Sequence, residues 1–261
     1  MVGRYIVAMG RVDWRAVISG LDVGELQRLL GSESGLPGPR ANLALADAFA
    51  AVGPDSAIDR FADDPDEYLR FCGTQGLGRL LLQTPDDLEL RARLRTRASD
   101  DLWRVREGAA RALQDIGTQN ATLMRELVGQ WLESEDPLVL RAAVAAVCEP
   151  RLLTDDDNAR LALHACRVAT AALVRLRDTV GADDRLRVLR QALAYCCSVA
   201  IAADPAHGAA DLEWLQASDD RDIAWIAASN LEKARLRPLL AAAPARRPRA
   251  SDGTPPPGRH S

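Results

Sequence analysis

The sequence predicts an all-α repeat protein, and three observations predict it. Aromatic residues make up only 4% of a chain that is 48% hydrophobic. Ala and Leu dominate and β-branched runs are few, which favours helices packed through small and branched side chains. The stretch Ser99–Gly117 places Leu102, Val105, Ala109, Ala112, Leu113 and Ile116 at steps of three and four, one face of a helix. Asp100 and Asp101 precede it as capping residues and Gly117 follows as a left-handed stop. Finally, the stretch recurs: an acidic residue precedes an arginine by six at Asp64/Arg70, Asp100/Arg106 and Glu135/Arg141, the arginines lying 36 and 35 residues apart.

Residues 1–21 read as an N-terminal cap. Tyr5–Met9 fits a short strand or a first helical turn, and Trp14, Val17 and Ile18 suggest a short helix ending at Gly20. Asp22 caps a helix that Gly31 ends. Ser32–Arg40, with two prolines and two glycines, is a loop. A helix from about Arg40 to Val52 follows, then a short one over Asp55–Ala62. Asp63-Asp64-Pro65 starts the next, with proline at a permitted first-turn position. Gly73, Gly76 and Gly78 lie inside that run. Each costs about 1 kcal/mol relative to Ala, so they mark close helix approach or a place where something packs on the backbone, helix packing being the better reading.

Pro85-Asp86-Asp87 opens a helix to about Thr96. After the organising helix come one through Leu132, one from Ser134-Glu-Asp-Pro137 to before Pro150, and longer ones to about Val180 and Ala202. A last pair covers Ala206–Ala217 and Asp219 to about Leu236. From residue 238 onward Pro, Ala, Arg and Gly dominate without any period, so 238–261 is expected to be disordered, leaving 22–237 for the repeats.

The formal net charge is −4, and 32 of the 33 basic residues are Arg, Lys233 being the one Lys. Residues 242–261 carry four Arg and one Asp, so the body is the more acidic part, a poor basis for non-specific nucleic-acid binding. Five Cys, an odd number with no C-x-x-C, occupy apolar helical contexts and read as reduced, buried thiols of a cytoplasmic protein. No stretch approaches 18 uncharged apolar residues, so no membrane span is expected. Met1–Gly10 is too short for a signal peptide and lacks a cleavage site.

The repeating junctions Phe61-Ala-Asp-Asp, Arg97-Ala-Ser-Asp, Glu133-Ser-Glu-Asp and Gln216-Ala-Ser-Asp219, with the arginine six positions on, resemble HEAT or HEAT-like repeats. The resemblance covers about 55–236, extends weakly to 22–52, and departs at Trp225, which stands at the arginine position. It implies an α-solenoid of antiparallel helix pairs, right-handed and curved. One helix pair is too thin to bury its apolar face, so neighbours must stack. In that arrangement each arginine can reach an acidic turn of a neighbouring unit, forming a ladder that sets register.

No conventional active site assembles. Three His (His164, His207 and His260) form no metal motif, and no H-E-x-x-H, G-x-S-x-G or P-loop is present, so neither metal nor cofactor is expected. Two functional readings follow. The first is a non-enzymatic scaffold binding a protein or peptide partner on its concave face, with Arg40, Arg70, Arg104, Arg106, Arg111 and Arg141 as groove or ladder residues. Arg40 is presented by the stiff Gly35–Pro39 loop, or that loop is an irregular connection in a capping unit. The alternative is DNA binding. Asp101, Trp103 and Arg106 loosely resemble the carboxylate and aromatic groove residues of bacterial alkylpurine DNA glycosylases built from HEAT-like repeats. That resemblance implies that Asp101 stabilises an oxocarbenium ion and Trp103 stacks near the lesion. The competing reading makes Asp101 a cap, Trp103 inter-repeat packing and Arg106 a ladder residue. The readings separate on whether Arg104, Arg111 and Arg141 share one face with Trp103 or Trp131 open to solvent.

Overall fold

The computed structural model describes residues 12–181 and 183–242. Every regular element in them is helical, and no strand occurs among the described residues. The Tyr5–Met9 expectation and residues 243–261 of the tail, His260 among them, lie outside the described residues.

Short polar side chains start almost every helix, because the first-turn N–H groups have no intrahelical acceptor. Asp13 caps α1 (Trp14–Ile18), and Asp22 with Glu25 forms a reciprocal capping box on α2 (Val23–Glu33). Asn42 caps α3 (Leu43–Val52), and α4 (Asp55–Phe61) follows Pro54. Asp66 caps α5 (Glu67–Gln83) and Asp87 caps α6 (Leu88–Arg97). After α7 (Trp103–Gln119), Asn120 caps α8 (Ala121–Leu132) and Asp136 caps α9 (Pro137–Val147). Asp155, Asp183, Asp204 and Asp220 then cap α10 (Asp156–Val180), α11 (Asp184–Ala203), α12 (Pro205–Ala217) and α13 (Arg221–Leu231). The last helix is α14 (Arg237–Ala242).

Several boundaries differ from the sequence expectation. Gly31 lies inside α2, which runs on to Glu33. Arg40 does not open α3; it sits in the loop before Asn42. That loop folds back at Gly35, whose φ of +74° brings its α-carbon so near the Arg40 carbonyl that a Cβ would lie 2.6 Å from the oxygen. Pro65 is outside α5, because Asp64 accepts from the Asp66 N–H and Asp66 then takes the cap. Gly117 lies inside α7, its missing Cβ making room for Leu152 and Met124. Neither Asp100 nor Asp101 caps α7. The N-cap is Leu102, Asp100 accepts from its N–H at 3.0 Å, and Asp101 is exposed. Residues 238–242 are helical, with Pro238 in the first turn, where its missing N–H costs nothing, and Leu239 packed on the core. One helix, α11, is long and apolar enough to cross a membrane, because its charges gather in its first two turns; about half of that stretch is buried inside the protein, as in a core helix.

The odd-numbered helices from α3 to α13 pack each against the next, and α4, α6, α8, α10 and α12 lie against their odd-numbered neighbours. One apolar core of Leu, Ala, Ile, Val and Phe runs through all of them. The approach of α4 and α7 to α5 is set by the three α5 glycines: a Cβ on Gly73 would meet the backbone at Ala62 and Phe61, on Gly76 the Ile58 side chain, and on Gly78 the Ala112 carbonyl. The packing reading of those glycines therefore holds.

The arginine six positions after the turn folds back onto it. Arg70 Nε donates to the Asp64 carbonyl at 2.7 Å, Arg106 to that of Asp100 at 2.6 Å, and Arg91 to that of Pro85 at 2.7 Å. The expected ladder to the next acidic turn forms at Arg70, which pairs with Asp100 at 3.2 Å. Arg106 pairs with no carboxylate among the described residues and donates to the Asp100 and Asp101 carbonyls. Burial, with the charge of Arg141 added, pushes its pKa down. Arg141 turns back to Glu107, and Arg97 supplies a second partner for Asp100 as well as reaching Asp63.

Candidate docking face across α3, α5, α7 and α9

Helix α7 buries Val105, Ala109, Ala112, Leu113 and Ile116 on one side. Arg104, Glu107, Arg111, Asp115 and Thr118 recur at steps of three and four, so they form a second, polar stripe. Each charged member reaches another element. Arg104 donates to both carboxylate oxygens of Glu67 on α5 at 3.1 Å. Glu107 accepts from Arg141 on α9 at 2.8 Å. Arg111 pairs with Asp47 on α3 and donates to Gln75 on α5. Asp115 accepts from Gln75 at 2.9 Å and from Arg151 at 3.3 Å.

Gln75 is the centre of this arrangement. Its buried amide nitrogen donates to Asp47 and Asp115, both at 2.9 Å, while its oxygen accepts from Arg111. A neutral amide can serve two carboxylates and a guanidinium at once, since it carries both donors and an acceptor. Above it opens a cavity of about 510 Å³ that also involves Arg15, Arg79 and Arg151.

Trp103 stands at the start of the stripe. It is 57% exposed, and the Arg104 guanidinium lies 4.6 Å from its ring centroid. The expectation that Trp103 packs between repeats is thereby overturned; the position falls at the helix start, ahead of the buried face. Trp131 is buried at 2% exposure and takes no part.

The structure thus gathers Arg104, Arg111 and Arg141 on one face beside an open tryptophan, and each of the three is ion-paired. Arg70, Arg106 and Asp101 lie at the turn before α7, and Arg40 is exposed in the loop before α3. Glu67, Gln75, Glu107, Asp115, Asp47 and Arg151 were not among the expected residues. For the α7 members a signal existed: the polar stripe has the same period as the apolar one.

Two other polar clusters lie toward the C-terminus. Cys148, Cys166, Cys196 and Cys197 are free and buried, with the Cys148 and Cys166 sulfurs 3.8 Å apart. Hydrogen bonding to Cys148, then burial, pushes the Cys166 thiol up, and Cys166 and burial do the same to Cys197. Among the described residues no group of three or more His, Cys, Asp or Glu is placed to hold a metal ion. The second cluster centres on Arg177, which pairs with Asp178, Asp220 and Asp222. The Arg177 hydrogen bond, against an opposing burial effect, holds the Asp220 carboxyl down to about 2.

An aspartate ordinarily titrates near 3.9. The lowered folded value means that this contribution to stability is present above the ordinary value and is lost as pH falls from about 4 toward 2. Urea midpoints measured across that window are expected to fall less steeply in Asp220→Asn than in the wild type. Equal slopes would remove Asp220 as a source of acid sensitivity.

No protein-family description matches the chain, and no curated protein matches it. Two crystal structures of engineered proteins are similar to it, each at 18% identity. One covers 84% of this chain and 94% of its own length with a TM-score of 0.37; the other covers 87% and 100% with a TM-score of 0.38. Similarity at that level carries no argument about fold or activity, and the description above rests on this chain's own geometry.

Proposed function

We propose that the chain is a HEAT-like solenoid of antiparallel helix pairs acting as a non-enzymatic scaffold. A protein or peptide partner docks on the face formed by α3, α5, α7 and α9. The observation that carries the reading is the α7 stripe, with Trp103 exposed at its start. The solenoid part is supported by side-chain links that recur at 34 to 37 residues, one repeat length, as in Arg104–Glu67, Arg141–Glu107 and Arg97–Asp63. An exposed tryptophan braced by an arginine has the composition of an interface hot spot.

The alternative, a DNA-binding or base-excising protein, is favoured by the exposure of Trp103 alone. Against it, a phosphate would have to displace a carboxylate from each of Arg104, Arg111 and Arg141.

Cross-linking of the intact protein in extract of its own cells, followed by peptide mapping, tests the docking face. Partner cross-links are expected on α5, α7 and α9, and a Trp103→Ala/Arg104→Glu double variant is expected to lose roughly tenfold or more of them. Cross-links confined to α4, α6 and α8 would overturn the reading. Release of an alkylated base from duplex DNA, lost in Asp101→Asn, would replace it with the enzyme.

A further inference from the structure

Four arginines from four separate parts of the chain meet at the cavity above Gln75: Arg15 on α1, Arg79 on α5, Arg111 on α7 and Arg151 in the turn Pro150–Leu152. Two of them are committed. Arg79 donates to the carbonyls of Ala50 and Gly53 and pairs with Asp55 at 3.0 Å. Arg111 is held by Asp47 and Gln75. The other two have donors to spare. Arg151 reaches Asp115 only at 3.3 Å and Glu149 at 3.9 Å, with half of its side chain in solvent. Arg15 is exposed and has no side-chain hydrogen bond or ion pair among the described residues.

The lining of this cavity carries four arginines against two aspartates. The wide cavity at the α10–α11 turn has four against three, and the one beside the turn before α7 has three against three. The carboxylates in the lining, Asp47 and Asp115, each accept a hydrogen bond from Gln75. Asp55 on Arg79 and Glu149 beside Arg151 bring the carboxylates around the cavity to four, so the donors left open to a ligand are those of Arg15 and the spare ones of Arg151. Ala50, Ala51 and Leu82 add apolar wall against which a short methylene stem can lie.

We infer that this cavity receives an acidic peptide segment, one carboxylate entering between Arg15 and Arg151; the inference rests on the docking face proposed above and names the partner's chemistry. Guanidinium forks match carboxylate geometry. No aromatic side chain lines the cavity, so nothing there stacks a nucleobase. Residues 1–11 carry two arginines and no acid, and residues 243–261 carry four arginines against one aspartate, so both segments are repelled.

The test is fluorescence anisotropy of a labelled hexaglutamate peptide titrated with the full chain. The Arg15→Ala/Arg151→Ala double variant is compared with an Arg187→Ala/Arg221→Ala control at the other arginine-rich cavity. All four positions are exposed or half-exposed, so the fold tolerates the changes, and circular dichroism verifies it. Hexaglutamate is expected to bind with a salt-sensitive affinity. The Arg15/Arg151 variant should weaken it about tenfold and the control by less than about twofold. Hexalysine should not bind. Absent hexaglutamate binding, binding unchanged in the double variant, or an equal Arg15/Arg151-dependent affinity for inorganic phosphate or a DNA duplex each overturns the assignment. If hexaglutamate fails while Trp103-dependent cross-links persist, the acidic specificity is wrong and the docking face stands; loss of both removes the face itself.

Discussion

Gly73→Ala is expected to destabilise the protein by about 3 kcal/mol, at the upper end of what overpacking costs. Alanine is the better helix former by about 1 kcal/mol, so propensity alone predicts the opposite sign. Packing decides it. The added Cβ would stand 2.1 Å from the Ala62 nitrogen and 2.4 Å from the Phe61 carbonyl carbon. Both are backbone atoms, and no rotamer change moves them aside. Helix α4 must then separate from α5, opening the contact that holds Ile58 and Phe61 in the core. Gly31→Ala and Gly129→Ala are the matched controls: both sites are helical with nothing within 4 Å of the added atom, and each should gain about 0.5–1 kcal/mol. Urea unfolding of the three variants reads the effect, and a Gly73→Ala protein as stable as the controls would show that α4 is not tightly seated on α5.

Asn230→Ala is expected to cost about as much, roughly 3 kcal/mol, for a different reason. Asn230 on α13 is fully buried. Its oxygen accepts from the Ser198 N–H of α11 at 2.7 Å, and its nitrogen donates to the carbonyls of Leu193 at 3.0 Å and Ile226 at 2.8 Å. Truncation takes an acceptor from the buried Ser198 N–H and a donor from the Leu193 and Ile226 carbonyls. Each buried polar group left without its partner costs about 1–3 kcal/mol. Asn230→Asp should be worse, because it keeps the acceptor, loses both donors and adds a charge. For a chain of this size the alanine variant should melt roughly 6–12 °C lower, and a shift under 1 °C would contradict the account.

How much of this was legible beforehand depends on which interaction decides each feature. The helices were legible, because their apolar periods and aspartate caps are local. The start of α5 was misread, because Asp63, Asp64 and Asp66 are all competent caps and the choice among them depends on turn geometry. Gly117 was misread for a related reason: a glycine serving close approach and a glycine serving a left-handed turn are the same letter, and only Leu152 and Met124 distinguish them. At the candidate site, Arg104, Arg111 and Arg141 were legible as groove or ladder residues. Their partners were not, because Glu67, Glu107 and Asp47 are set by which helix lies alongside. Gln75 carries no charge and sits in a run of glycines, so nothing marked it until α3 and α7 were seen on either side.

One consequence of the Gln75 arrangement concerns how the molecule comes apart. In a linear stack each unit touches only its neighbours, and opening proceeds in increments from the ends. Here Arg111 is bonded to Asp47, 64 positions earlier in the chain, and Gln75 joins both to Asp115. That clasp joins α3, α5 and α7. The stretch from α3 to α7 should therefore lose its order in a single step, with amide protons of α3, α5 and α7 exchanging together at a common rate, while the α10–α14 end frays on its own.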